Sequence, residues 1–274
     1  MPELPEVEVV CRGLLTSILN DKITSILVRC YNLRHKIPQN LNSVVENTKI
    51  IDITRRAKYI LINLDNNIAL IIHLGMTGNL VVHQHQRDSF NKHDHVIFYL
   101  ESGKELVYHD VRRFGLIKTC NIDQLDDLSL FADNGPEPLT QAFNAKYLYD
   151  SLRHKSSGVK QAIMSNNIVV GIGNIYACEI LFRSRINPFR EAKDITINEA
   201  EEIVNHTRSV LMSAIDAGGS SFSDYLNASG DRGYFQHNFQ VYQRQDCSCV
   251  NCLHPIMRAK QQGRSSFFCP NCQL

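Results

Sequence analysis

Two Cys-x-x-Cys pairs, Cys249/Cys252 and Cys269/Cys272, stand sixteen residues apart near the end of the chain. Each pair can offer two thiolates from one tight turn, and the segment between them can bring the chain back to close a tetrahedral site. Four sulfurs fill such a site, so the spacing predicts one structural Zn2+ and no open catalytic position. A unit this short has little core of its own, so metal binding would supply its folding energy. Two chance pairs or redox dithiols have the same spelling. Cys247 lies two residues before the first pair, upsets no spacing, and is read as a spectator able to compete for metal. Between the pairs run Arg258, Lys260 and Arg264. A basic hairpin on a metal staple suits a phosphate backbone, although a protein- or RNA-binding hairpin would look alike.

The other cysteines, Cys11, Cys30, Cys120 and Cys178, have no partner by spacing and are read as reduced core or surface thiols. No basic, apolar leader opens the sequence and no apolar run approaches a membrane span of about 18 residues, so the expectation is a soluble cytoplasmic protein. Formal net charge is only +1, which does not announce nucleic acid, but the charge is unevenly placed. RRAK (55–58), VRR (111–113) and MRAK (257–260) are basic knots, each of which alone also reads as solvated surface.

The 274 residues suffice for about two domains. Val7, Val10, Cys11, Leu14 and Ile18 fall at helical spacing and predict a helix over 6–18. Short β-type runs follow from about 23 to 120: ITSILV, KYILINL, IALIIHLGM, HVIFYL, ELVYH and GLIKT. Their density predicts a sandwich or barrel. DNGPEPLT (133–140) reads as a linker, and helical patterns resume at about 143–154, 159–166, 174–184 and 196–217. A polar, Gly-rich loop (217–235) precedes the cysteine unit. The expected architecture is α+β: a β-sandwich with a leading helix over 1–132, a linker over 133–142, a helical domain with its loop over 143–235, and a four-cysteine unit over 236–274.

Two stretches carry possible chemistry. VVGIGNIYACEI (169–180) puts Gly-x-Gly-Asn at a helix entrance, where backbone N–H groups can meet an anion; Asn174 is an N-cap by type. An ordinary helix connection is the plainer alternative, and the helical sequence ahead of it disfavours dinucleotide binding. The opening MPELPEVEVV is the other. Removal of Met1 would expose the secondary amine of Pro2. An α-amine titrates near 7.7–8.0, far below lysine, so much of it is already nucleophilic at neutral pH. Attack on a sugar aldehyde carbon would give a cationic iminium, an electron sink that acidifies the neighbouring C–H. Glu3 beside it could move a proton. Pro and Glu also simply begin helices.

PELPEVE, RRAKY, HLGMTG, KHDH, RRFG, NGPEPL, VGIGNIYACE, GGSSFSDYL and the cysteine unit occur in one order across essentially the whole chain. Together they resemble the bacterial formamidopyrimidine-DNA glycosylase family, 8-oxoguanine DNA glycosylases with AP lyase activity. The resemblance implies a helix–two-turn–helix domain, a zinc finger and a double-stranded DNA substrate with oxidised bases or abasic sites, handled by a monomer in the nucleoid-bearing cytoplasm, with no membrane. It implies Pro2 as the Schiff-base nucleophile, Glu3 as the acid beside it, Lys58 as the β-elimination proton donor and Arg264 as the δ-elimination and phosphate-gripping residue. It implies DNA contacts at His73, His93, Lys155 and Asn174, and places Met76, Arg112 and Phe114 in the gap left by the extruded base. From the residues alone, Met76 and Phe114 read first as core and Lys58 and Arg264 as solvated surface charges, while His73 reads equally as a buried structural histidine. Val111 stands where the family usually has proline, and HKSSG before Val159 has fewer lysines than usual. An endonuclease VIII-type enzyme, which typically begins Pro-Glu-Gly-Pro, and a non-catalytic zinc-ribbon DNA binder are the rivals.

Overall fold

The computed structural model describes residues 1–220, 228–231 and 233–274. The chain forms two compact units, Met1–Ala132 with Ile215–Gln236, and Asp133–Ala214 with His237–Leu274. No helix among the described residues is long and apolar enough to cross a membrane. The central part of the Gly-rich loop over 217–235 lies outside the described residues.

The first unit opens with α1 (Leu4–Ile18). The helix starts two residues earlier than its apolar spacing suggested. Pro5 sits in its first turn, where a missing N–H costs nothing, and Glu3 serves as N-cap. There follow β1 (Lys22–Val28), α2 (Leu41–Val45), β2 (Thr48–Arg56), β3 (Tyr59–Leu64), β4 (Ile68–His73), β5 (Gly78–His83), β6 (Asp94–Leu100), β7 (Glu105–Asp110) and β8 (Leu116–Asn121). The strands form one sheet in the order β5-β7-β6-β1-β2-β3-β4-β8. β1 and β2 share only two register pairs, Lys22↔Lys49 and Ile23↔Thr48, so this seam is weak. Both halves nevertheless bury one core, with Ile53, Ile62 and Leu70 from one side and Val96, Phe98 and Leu106 from the other. Val7, Val10, Leu14 and Ile18 of α1 join it. Such a shared core is what two sheet layers need, and it fits the expected N-terminal sheet domain.

Two strands were not foreseen. The run IALIIHLGM reads as a single strand, but β4 stops at His73 because Gly75 turns the chain with φ +64. The chain then re-enters the sheet as β5 at its far edge. β2, with its charged residues, was also missed, although it pairs along nearly all of β3.

The second unit contains α3 (Ala145–Leu152), α4 (Val159–Ile163), α5 (Asn174–Arg183), all but the last two residues of α6 (Ile197–Asp216), β9 (Met257–Gln261) and β10 (Arg264–Phe268). The helices fall where the periodicity put them, to within a few residues. β9 and β10 pair in register across Gln262 and Gly263, whose φ values of +44 and +79 suit a two-residue hairpin turn. Cys178 and Phe182 of α5 pack with Val241, Ile256, Phe267, Cys249 and Cys269. Glu179, fully buried on the same helix, accepts backbone N–H bonds from Gln240, Val241 and Tyr242 at 2.9–3.1 Å. Burial pushes its carboxyl above the usual carboxylate range, against those donors. One side chain thus ties α5 to the segment leading into the cysteine unit.

Candidate active site

Pro2 is buried immediately before the Glu3 N-cap, while Met1 is exposed. In the chain as given, the Pro2 nitrogen belongs to the Met1–Pro2 peptide, so amine chemistry requires removal of Met1. Glu3 is 2% exposed, and its side chain accepts from the backbone N–H of Glu6. In return Glu6 Oε2 accepts from the Glu3 backbone N–H at 2.8 Å, closing a capping box. Glu6 Oε1 accepts from both N and Oγ of Ser220 at 2.8 Å. Glu6, 1% exposed, therefore pins the start of the chain to the root of the Gly-rich loop. The sequence reading missed this residue, although the Glu-x-x-Glu spacing was its signal.

Lys58 sits in the two-residue turn between β2 and β3, whose first residue, Ala57, has φ +53. That position normally takes glycine. Arg55 holds the turn, donating to the Ala57 carbonyl at 3.0 Å and to Glu8 of α1 at 3.0 Å. Cys11 of α1 donates to the Thr54 carbonyl. The Lys58 turn is thus fastened to the helix that follows directly on Pro2 and Glu3. Burial, and then the charge of Lys58, lower the His73 pKa to about 4. His73 is neutral at pH 7, and its Nδ1 accepts from Gly75 N–H at 3.0 Å. The ring proton is thereby assigned to Nε2.

Met76 and Phe114 are 40% and 38% exposed, so neither is a core residue. They stand on the turns after β4 and β7. The Arg112 guanidinium lies 4.5 Å from the Phe114 ring centroid, a cation–π pair, and Arg34 approaches the same ring at 5.7 Å. His93 precedes β6, partly buried, with its ring 5.9 Å from that of His109 and its Nδ1 lacking a partner.

In the second unit Gly173, not Asn174, is the N-cap of α5. Asn174 is the first helical residue, and its side chain reaches away from its own helix: Nδ2 donates to the Ser265 carbonyl at 3.0 Å. Its Oδ1 is buried without a partner. Lys160 of α4, 1% exposed, donates to the same carbonyl at 3.1 Å and to Ser266 Oγ at 2.8 Å. Sequence gave no sign of Lys160, since its partners are more than a hundred residues away. Both side chains thereby hold the strand that carries exposed Arg264. Lys160, Gln161, Ser165, Gln261 and Arg264 line a polar cleft of about 290 Å3. Lys155 lies on the approach to α4, partly exposed, outside the lining of that cleft.

The Sγ atoms of Cys249, Cys252, Cys269 and Cys272 lie within 4.8 Å of one another. Cys249–Cys272 is 3.9 Å and Cys252–Cys269 3.4 Å. A tetrahedral centre with metal–sulfur bonds of about 2.3 Å separates its sulfurs by about 3.8 Å. The backbone N–H of Asn251 also points at Cys249 Sγ, 3.4 Å away. The donor set fits a metal ion. Exposed Cys247 stands outside it.

A capped helix ahead of a sheet unit, with a helical unit bearing a four-cysteine hairpin, marks the class of helix–two-turn–helix DNA-repair proteins. The models of the formamidopyrimidine-DNA glycosylase N-terminal domain and H2TH domain match residues 1–117 and 134–225. The chain is 44% identical over 273 residues to the formamidopyrimidine-DNA glycosylase of Wolbachia sp. subsp. Drosophila simulans (strain wRi), covering all of both chains. A Lactococcus lactis FPG mutant solved with Fapy-dG containing DNA, and Lactococcus lactis Fpg solved with abasic site containing DNA, each superpose with a TM-score of 0.92 at 32% identity, over 99% of each chain. MutM in complex with carbocyclic 8-oxo-G containing DNA gives 0.91 at 32% identity and 99% of this chain. The chain belongs to the formamidopyrimidine-DNA glycosylase family, and it is a DNA-repair enzyme.

Proposed function

We propose that this chain removes oxidised purines, 8-oxoguanine and formamidopyrimidines, from double-stranded DNA and cuts the strand at the resulting abasic site. With Met1 removed, the Pro2 amine attacks C1′ of the damaged nucleotide and the base departs. Opening of the sugar ring at O4′ then gives an iminium that acidifies C2′–H; β-elimination expels the 3′ phosphate, δ-elimination the 5′ phosphate, and water hydrolyses the iminium to free Pro2, leaving a one-nucleotide gap with phosphate ends. Glu3 handles the proton on the sugar, Lys58 serves the first elimination, and Arg264 serves the second while gripping phosphate. His73, His93, Lys155 and Asn174 contact the DNA; Met76, Arg112 and Phe114 occupy the vacated stack.

The four cysteines would hold one Zn2+, which fixes the hairpin bearing Arg264 and takes no part in bond breaking. We assign the activity to a monomer working on nucleoid DNA in the cytoplasm, divided as 1–132, 133–142, 143–235 and 236–274. The observation that carries the reading is the start of α1. Pro2 stands just ahead of the positive end of a 15-residue helix, where an ammonium is disfavoured and a neutral amine favoured. Product analysis on matched duplexes tests the substrate. Faster release of 8-oxoguanine than of an oxidised pyrimidine is expected; a strong pyrimidine preference would favour the endonuclease VIII-type reading.

A further inference from the structure

We infer that Asp110 is a positioning residue for base extrusion. Its buried carboxylate locks the turn that carries Met76 to the turn that carries Arg112 and Phe114. The inference rests on the reading of those three side chains as occupants of the vacated stack.

Asp110 is fully buried, and four donors fill its carboxylate. Oδ1 accepts from Thr77 Oγ1 at 2.6 Å and from the Arg112 backbone N–H at 3.2 Å. Oδ2 accepts from the Gly115 backbone N–H at 2.9 Å and from the Tyr108 hydroxyl at 3.1 Å. The Arg112 N–H also reaches Thr77 Oγ1 at 3.0 Å. One carboxylate therefore holds both ends of the 112–115 turn, and through Thr77 it holds the residue next to Met76.

The backbone agrees. A Cβ on Gly75 would lie 2.6 Å from the Gly115 nitrogen and 2.7 Å from the Phe114 carbonyl oxygen. The two turns thus touch main chain to main chain. Arg113 has φ +57, a left-handed conformation that non-glycine residues keep only where the surroundings impose it. Asp110 is itself held from outside the turn: its N–H donates to the His93 carbonyl at 3.0 Å, and its carbonyl meets His95 Nε2 at 2.7 Å. Val111 is 49% exposed and restricts the backbone less than proline would. The order of this turn comes from Asp110 instead.

A wedge replaces lost stacking only if its apolar and cationic parts arrive together. Asp110 touches no base in this scheme; it sets whether Met76, Arg112 and Phe114 present one surface. In Asp110→Asn the new NH2 must face either the Arg112 or the Gly115 backbone N–H, so one of these two bonds is always lost, although the Thr77 or Tyr108 hydroxyl beside it can turn to accept from the NH2.

The test compares two single-turnover rates on the same duplex sequence. One is base release from 8-oxoguanine opposite cytosine. The other is strand cleavage at a preformed abasic site, where no base has to be extruded. Asp110→Asn should slow base release about 10- to 100-fold, the scale of losing such hydrogen bonds, and cleavage less than about threefold. Thr77→Val should shift the ratio in the same direction, and Thr77→Ser should restore it. If Asp110→Asn does not fold, Thr77→Val with its serine rescue decides. A ratio unchanged from wild type in the folded variants, whether both rates persist or both fall together, overturns the inference. Arg112→Ala and Phe114→Ala serve as references. If they leave base release intact, the wedge reading itself fails and this inference with it; if they slow it while the Asp110 and Thr77 variants do not, only this inference fails.

Discussion

Glu6→Gln isolates the residue that joins the candidate nucleophile to the Gly-rich loop. Among the described residues the carboxylate accepts from Glu3 N–H on Oε2 and from N and Oγ of Ser220 on Oε1. An amide of the same shape must turn its NH2 toward one of these sets. The kinder orientation abandons only the Glu3 N–H, a buried donor left unmet, at about 1–3 kcal/mol. The two surviving bonds then change from charge-assisted to neutral, a further loss of about 1 kcal/mol in all after relief of burying the charge. The net expectation is about 2–4 kcal/mol, felt locally. Amide hydrogen exchange followed by NMR reads this directly, because it resolves Glu3 and Ser220 from the rest of the chain. A loss of that size accelerates exchange at both amides about 30- to 1,000-fold at constant pH, with the sheet core unchanged. Protection at Glu3 and Ser220 within a factor of two of wild type would refute the linkage. Loss of protection throughout the sheet would show that Glu6 supports the whole unit and not its leading end.

Two further outcomes follow from other parts of the structure. His73 is depressed to about 4 from 6.5, so above pH 6.5 neither folded nor unfolded chain protonates it and its titration adds no pH dependence to stability. As pH falls from 6.5 towards 4 the unfolded chain gains a proton that the folded one refuses, and stability drops by up to about 3 kcal/mol. His73→Asn, which keeps an acceptor for Gly75, should flatten that part of the stability curve in chemical denaturation followed by circular dichroism; parallel curves would contradict the assignment. For the cysteine cluster, elemental analysis should find about one zinc per chain, and Cys249→Ser should fall well below it and bind abasic-site DNA more weakly. Full metal content in that variant would exclude Cys249 as a ligand.

What could be read from the sequence was what short spacing encodes. The cysteine pairs, the body of α1 and the helices of the second unit each announce themselves within a dozen or so residues. Boundaries failed where a single glycine decided them: Gly75 ends β4 inside an unbroken apolar run, and the same turn presents Met76. Exposure of Met76 and Phe114 was equally hidden, because an apolar side chain looks the same in a core or on a turn. Asn174 was recognised as a residue of interest but given the wrong local role, since capping type is local and its bond to Ser265 is not. Lys160 and Asp110 were not singled out for the same reason, since their partners Ser266 and Thr77 are chosen by tertiary packing; Glu6 had its Glu-x-x-Glu spacing as a local signal, but nothing nearby announced its bond to Ser220.

The central claim is that the secondary amine of Pro2 forms the bond to the sugar. Borohydride reduction during reaction with 8-oxoguanine duplex traps an iminium as a stable protein–DNA adduct, and peptide sequencing locates the bond. The expected result is one adduct at Pro2 on chains lacking Met1, and far weaker trapping for Pro2→Gly and for chains that retain Met1. An adduct on a lysine, or trapping by the Met1-retaining chain at the wild-type level, would contradict the account.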